Sequence, residues 1–298
     1  MNPFNEIDQN DPNAQGSEAW KKIRMSGVGG SEIAVVLGIS PHKTRYQLWL
    51  EKTNLQAPVD ISNLPHVQRG VLAEPIARKL MEEREGMTFK PTVWPQKGVA
   101  RCSDDGSNIE HGVLLEIKCM GIANHQKAHM GEIPDYYLVQ CIWNLGVSEM
   151  NECLFVSIRP EEDNDLAVVK VHPNNERYSE MLFEAKKFME LVRTKTPPEL
   201  VDKDYVHIES ELLIASLEAY KKAKAAAKLA ELECDRLKDE ILAQVPNGSV
   251  VVGGNRITRF FKKGNVDFAK IPQLKDVNLE PYRKAGSIQT LITLSKES

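Results

Sequence analysis

Residues 101–120 read RCSDDGSNIEHGVLLEIKCM, and the fold turns on how this stretch is parsed. An acidic pair, Asp104 and Asp105, runs straight into Gly106. After a short polar turn, the apolar run Val113-Leu114-Leu115 leads into Glu116-Ile117-Lys118. In a strand, residues two apart share a face, so Glu116 and Lys118 point the same way while Ile117 points into a core. A strand ending in the acidic pair, a turn, and a strand carrying Glu-x-Lys bring two carboxylates and one ammonium into a small volume. Two carboxylates offer hard oxygen ligands to a divalent ion. Such an ion polarises a phosphoryl oxygen and lowers the pKa of a bound water; a lysine beside it positions that water and offsets developing negative charge. Glu-x-Lys is also common on solvated strand edges. Here it is embedded in VLLEIKCM, which predicts a buried strand with one polar window, since charged residues are seldom buried unless paired or ligating.

Upstream, residues 87–94 and 98–102 read as strands about the turn Pro95-Gln96-Lys97. Residues 65–84 read as a helix with Val67, Leu72, Ile76 and Leu80 on its core stripe and a kink or break at Pro75. Glu74, just before that proline, reads on pattern alone as a solvated helical glutamate. Residues 44–52 form another helix. Gly27-Val28-Gly29-Gly30-Ser31 is a glycine-rich turn into a helix over 32–37, with Ser31 as N-cap. Such a turn either caps a helix without a ligand or aims backbone N–H groups at an anion; Arg24, on a short helix over 17–25, favours phosphate. Downstream, residues 124–130 form a helix with His125 and His129 at i, i+4. With no third ligand and no HExxH glutamate in the pattern, both read as surface histidines. Residues 135–145 form an amphipathic helix in which Gln140 sits among apolar residues and needs a hydrogen-bond partner, structural or catalytic. Residues 152–159 and 166–172 pair as a hairpin, and a helix over 174–192 follows.

This order predicts a sheet with helices around it, in a domain over 17–195 preceded by a flexible, polar tail at 1–16. A second unit, 205–298, opens on a long helix over 208–244. Tyr220, Ala227, Cys234 and Ile241 recur by sevens there, as do Ala223, Ala230 and Leu237, giving an a/d seam that pairs with another chain or packs on the first domain. A hairpin about Gly253-Gly254 leads into RITRFFKK, where Arg256, Arg259, Lys262 and Lys263 interleave with Phe260 and Phe261. That pattern suits single-stranded nucleic acid or a charged edge strand. The 298 residues carry a net charge of -4, so any contact with nucleic acid rests on a local basic patch. The five cysteines form no CxxC pair, which predicts reduced, mostly buried thiols. No apolar run approaches the ~20 residues of a membrane span, and the polar, acidic N-terminus is unlike a signal peptide, so the expected location is the cytoplasm and no membrane partner is expected.

Five stretches in order, GVGGSEIAVVLGISPHKTRYQLWLEKT, RGVLAEPIAR, RCSDDG, LLEIK and PDYYLVQ, resemble the YqaJ-like viral recombinase nucleases, the family of phage lambda exonuclease within the PD-(D/E)xK superfamily. The resemblance implies an α/β (α+β) restriction-endonuclease-like core: a central mixed sheet flanked by helices, here extended by the C-terminal long helix and hairpin. It implies a Mg²⁺-dependent (or Mn²⁺-dependent) deoxyribonuclease, with two ions per site, that degrades linear double-stranded DNA from its 5′ end and leaves a 3′ single strand for recombination. Asp105, Glu116, the Ile117 carbonyl and Glu74 are then the metal ligands. Lys118 orients the attacking water and Gln140 braces the site. Arg24, Ser31 and Ser103 grip a 5′-phosphate. The family has proline where this chain has Asp104, which leaves either aspartate as the ligand; the Asp-Gly pairing favours Asp105, with Asp104 supporting it or facing solvent. The implied assembly is a ring-shaped homotrimer around duplex DNA that hands its product to a single-strand annealing protein. The implied setting is the cytoplasm of a bacterial host cell, with the protein encoded by a phage or prophage. A structure-specific or endonucleolytic DNase of the same fold and a non-catalytic DNA-binding recombination scaffold are the alternatives.

Overall fold

Helices α1 (Gly30–Val36), α2 (Arg45–Lys52) and α3 (Pro65–Glu85) precede the sheet. Five strands follow, β1 (Lys90–Val93), β2 (Ser103–Asn108), β3 (Val113–Lys118), β4 (Glu152–Arg159) and β5 (Asp165–Val171), and they lie side by side in that order. Only β3 and β4 run parallel. A parallel pair needs a crossover, made here by α4 (Ile122–His129) and α5 (Asp135–Ser148); α6 (Asn175–Thr194) follows β5. The computed structural model describes residues 17, 23–259, 261, 262, 264, 270–274 and 277, which divide into two compact units, 1–206 and 207–298.

Strand alternation sorts the sheet's two faces. Leu114 joins Cys153 and Phe155 under α1, α2, α5 and α6 in one apolar cluster. Val113, Leu115 and Ile117 join Leu154, Val156 and Ile158 under α3 in the other. Ile117 therefore points into a core, as its place between Glu116 and Lys118 predicts, and those two residues point toward α5.

Several local readings are corrected. Residues 98–102 are not a strand. The acidic pair instead lies inside β2, whose pairing runs Gly106 to Leu115, Ser107 to Leu114 and Asn108 to Val113, with the turn after Asn108. A polar Ser-Asp-Asp-Gly-Ser-Asn strand defies apolar alternation because its neighbours supply the burial. Pro75 does not end α3. The buried face of that helix is Ala73, Ala77 and Met81, while Leu72 and Ile76 are exposed; small residues let the helix axis approach β3 closely, a preference for size that a hydrophobicity stripe does not register. Helix α1 begins at Gly30 with Gly29 as N-cap, so Ser31 is inside the helix. Of the helix read over 17–25, residues 18–22 lie outside the described residues, and residues 23–25 are helical.

The second unit is described by itself. Helix α7 (Glu211–Gln244) is capped by Ser210, whose Oγ accepts from the Leu213 N–H at 3.3 Å, and none of its residues is buried. Strands β6 (Val250–Val252) and β7 (Asn255–Ile257) pair as a hairpin. Phe260 and Lys263 of the basic-aromatic stretch lie outside the described residues.

Candidate active site

The β2–β3 ladder ends at Gly106 and Leu115, and Asp105 takes over where it stops. Its Oδ2 accepts the Ile117 N–H at 2.7 Å, which fixes the carboxylate across from Glu116. Asp104, one residue earlier, faces the other way and is fully buried, accepting from the Trp94 indole N–H and from the Thr92 N–H at 3.3 Å. It does not face solvent; burial and the neighbouring Asp105 push its carboxyl up to about 7. Glu116 is also buried. Its Oε1 accepts from Lys118 Nζ and, at 2.6 Å, from Gln140 Nε2, and its Oε2 accepts from Asn144 Nδ2 at 3.1 Å. Burial, with Asp105 and Asp104 adding to it, pushes Glu116 up to about 7 against the pull of Lys118. Burial alone would lower the lysine, but Glu116 and Asp105 outweigh it and hold the ammonium well above its ordinary range. Lys118 is thus a permanent cation, 5.7 Å from the centre of the Tyr137 ring. It is suited to orienting water and holding negative charge, not to taking a proton as a base.

A cleft of about 190 Å³ opens over this group, lined by Asp105, Glu116, Lys118 and Gln140 together with Arg24, Ser31, Arg101 and Ser103. The arginine-bearing part of this lining is built on the glycine turn. Val28 bridges to Ala100, its N–H donating to Val99 O at 2.8 Å and its carbonyl accepting from Arg101 N–H at 2.9 Å. Gly27 allows this, because a Cβ there would lie 2.5 Å from Val99 O and 2.9 Å from Arg101 Cδ. Beneath it, Lys52 Nζ donates to Glu32 Oε2 at 2.8 Å and to the Gly27 carbonyl at 2.7 Å, and Arg24 Nη2 reaches Glu32 Oε1 at 3.1 Å. Arg101 is 8% exposed, and among the described residues its guanidinium has no hydrogen-bond or ion-pair partner. Burial lowers its pKa, partly offset by Glu32. A buried cation opening onto a cleft beside hydroxyls is a ready acceptor site for phosphate oxygens. A larger groove of about 1040 Å³ lies between α2, α6 and residues 198–203, but the strand-borne carboxylates and Lys118 converge on the smaller one.

Residues 19–151 match the YqaJ-like viral recombinase domain. The YqaJ protein of Bacillus subtilis (strain 168) is 31% identical over 134 residues, 44% of this chain and 42% of that protein. Protein D345L of African swine fever virus (strain Badajoz 1971 Vero-adapted) is 51% identical over 41 residues, 14% of this chain and 12% of its own. The chain thus spans less than half the length of these relatives. The alkaline exonuclease LHK-Exo of Laribacter hongkongensis superposes with a TM-score of 0.52 at 21% identity, covering 60% of this chain and 94% of its own. That likeness establishes the fold, a PD-(D/E)xK core.

Within residues 19–151, the structure gathers Asp105, Glu116, Lys118, Gln140, Arg24, Ser31 and Ser103 on one cleft. Glu74 stands on α3 at its margin. Burial and the charge of Asp105 raise its pKa while Arg78 and Lys118 lower it, so it shares their field. Five partners escaped sequence reasoning. Arg78 donates to Glu74 and, through Nε, to the Asp105 carbonyl at 2.6 Å, tying helix to strand. Asn144, one turn beyond Gln140, holds the second oxygen of Glu116; the i, i+4 pairing of two amides in an apolar helix was the available signal. Lys52 and Glu32 form a buried ion pair, and Arg101 adds the buried cation. His125 is not a surface residue: it is 2% exposed, and Asp165, far away in sequence, stands beside both histidines.

Proposed function

We propose that this chain is a divalent-metal-dependent deoxyribonuclease that degrades linear double-stranded DNA in the 5′-to-3′ direction and leaves a 3′ single strand. The observation that carries it is the shared cleft: two facing carboxylates and a lysine cation lining the same space as two arginines and two serines. The donor set fits a hard divalent ion, because Asp105 and Glu116 are all-oxygen ligands and the burial that raises Glu116 is relieved by a cation. Asp105, Glu116, the Ile117 carbonyl and, at the margin, Glu74 would hold Mg²⁺ or Mn²⁺ in one or two positions; when bound, the metal supplies an activated water and neutralises charge on the phosphoryl group.

The chain's own residues do the positioning. Gln140 and Asn144 fix Glu116 so that its oxygens do not rotate away. Lys118 donates to the attacking water or to a non-bridging phosphate oxygen, holding charge as it develops. Arg24, Arg101, Ser31 and Ser103 hold a terminal 5′-phosphate, which places the next phosphodiester over the carboxylates and sets polarity. The proposal includes a ring-shaped homotrimer that keeps a chain of net charge -4 on DNA by enclosure and passes its product to a single-strand annealing protein; the subunit count is read by light scattering.

The test is digestion with Mg²⁺ of linear duplex carrying 5′-phosphate or 5′-hydroxyl ends, with closed circular DNA alongside. Mononucleotides released from linear DNA only, faster from 5′-phosphate, and a loss of about 10²-fold or more in Lys118→Ala support the reading. Cleavage of the circle would move the assignment to an endonuclease, and inactivity on every substrate to a DNA-binding scaffold. For Arg101→Ala the expected outcome is that the preference for 5′-phosphate over 5′-hydroxyl ends collapses while the 5′-hydroxyl rate holds. A uniform loss on both ends would give Arg101 a structural role instead.

A further inference from the structure

His125 and His129 of α4 converge on Asp165 at the start of β5. The Nε2 atoms of His125 and His129 lie 3.1 and 2.8 Å from the same oxygen, Asp165 Oδ2, and ligand atoms of all three lie within 4.8 Å of one another. The i, i+4 spacing puts both rings on one helix face, where they meet edge to face with centroids 4.8 Å apart. A carboxylate engaged in a simple hydrogen bond needs one imidazole; here two aim the same nitrogen at one point. The far nitrogen of His125, Nδ1, is held 2.7 Å from Oγ of the fully buried Ser157 on β4, the kind of outer contact that fixes the orientation and tautomer of a ligating histidine. The His129 and Asp165 side chains are each 44% exposed, so a further coordination position faces water.

We propose that His125, His129 and Asp165 form a binding site for a late first-row divalent ion, zinc above all, with water completing a four-coordinate shell. Donor chemistry separates this site from the cleft: two imidazoles and one carboxylate suit Zn²⁺, whereas the all-oxygen set of Asp105 and Glu116 suits Mg²⁺ or Mn²⁺. The ligands come from α4 and β5, with Ser157 of β4 behind them, so the ion pins the crossover helix that follows Lys118 onto the sheet. Its role is structural, and DNA cleavage does not pass through it.

The experiment titrates the chelator-stripped full chain with Co²⁺, following visible d–d absorption, and then displaces it with Zn²⁺. The expected result is one equivalent of Co²⁺ with the intense absorption of a four-coordinate site, retained in Asp105→Asn and lost in His129→Ala and Asp165→Asn. His129 is half exposed, so its replacement leaves the fold intact, and circular dichroism verifies this. Zinc affinity should fall at least 100-fold in His129→Ala while Mg²⁺-dependent nuclease activity is unchanged. An absorption band that survives His129→Ala, a band that disappears in Asp105→Asn, or no uptake up to millimolar Co²⁺ would each overturn the site and leave the three residues as a hydrogen-bonded contact.

Discussion

Glu32 is buried, and desolvation alone would push its carboxyl upward. Lys52, Arg24 and the Gly29 N–H together outweigh that and bring it from 4.5 down to about 2. A carboxyl depressed on folding adds stability that is present above its ordinary value and lost as pH falls toward its folded value. At about 1.4 kcal/mol for each tenfold in proton affinity, this amounts to about 3 kcal/mol. Lys52 moves the other way: burial lowers its pKa more than Glu32 raises it, so the ammonium carries a cost. That cost is constant across the acid range, where the lysine is protonated folded and unfolded, and the acid limb belongs to Glu32. Denaturant unfolding between pH 5 and pH 2 should show the wild type losing about 3 kcal/mol more than Glu32→Gln; parallel acid limbs would sink the assignment. Glu116 has the opposite sign. Its raised carboxyl makes the ionised form costly in the folded protein, and the cost is complete above about pH 7. A divalent cation held there, as proposed, would bind that ionised form and relieve the cost. Mg²⁺ at a hundredfold excess over its Kd should therefore stabilise the stripped protein by about 2–3 kcal/mol at pH 8. The gain should shrink as pH falls through 7 and vanish in Glu116→Gln; an equal thermal shift in that variant would place the ion elsewhere.

Helix α1 is set against α5 by a missing side chain. A Cβ on Gly30 would lie 2.2 Å from Asn144 Oδ1, and that oxygen is buried with no hydrogen-bond partner among the described residues. Asn144 cannot give way without releasing Glu116 Oε2, so Gly30→Ala should destabilise by about 1–3 kcal/mol and cut turnover more than it raises KM. Thermal melts with single-turnover rates check this, and a stable variant with wild-type turnover would refute the coupling. Legibility followed the same line between element and contact. The Glu-x-Lys strand announced itself because Leu114, Leu115 and Ile117 flank its charges, and Gln140 because amides are rare on an apolar helix face. Strand β2 did not, since Ser103-Asp104-Asp105-Gly106 reads locally as a turn and becomes a strand only through its pairing with β1 and β3. The stripe of α3 was misplaced for a related reason: Ala73 and Ala77 are buried for their small size, which the tertiary approach of β3 demands. Arg101 and Asp165 carry no local pattern at all, and their roles exist only where the chain brings distant segments together.

Across the whole chain, the cleft, both apolar clusters and the His125 trio fall in residues 1–206, and α7 with its hairpin falls in 207–298. The first unit does not end at the Pro197-Pro198 break, where composition shifts. Asp204 accepts from the Thr44 hydroxyl at 2.5 Å and from the Val201 N–H at 2.9 Å, so residues 201–206 fasten back onto the start of α2. A chain ending at residue 200 would lose that clasp, whereas one ending at Val206 keeps it along with every residue assigned to the cleft. The expected outcome for the 1–206 fragment is a cooperative melt and mononucleotide release from linear duplex within a fewfold of the full chain. Its engagement of DNA or of an annealing partner should be weaker, read as a higher KM and lower processivity on long substrates. The 1–200 fragment should be less stable by about 1–2 kcal/mol, the worth of a lost capping-type hydrogen bond. If 1–206 fails to fold, the second unit supplies core stability that the division at Val206 does not show; if it folds but is inactive, the catalytic machinery reaches into residues 207–298.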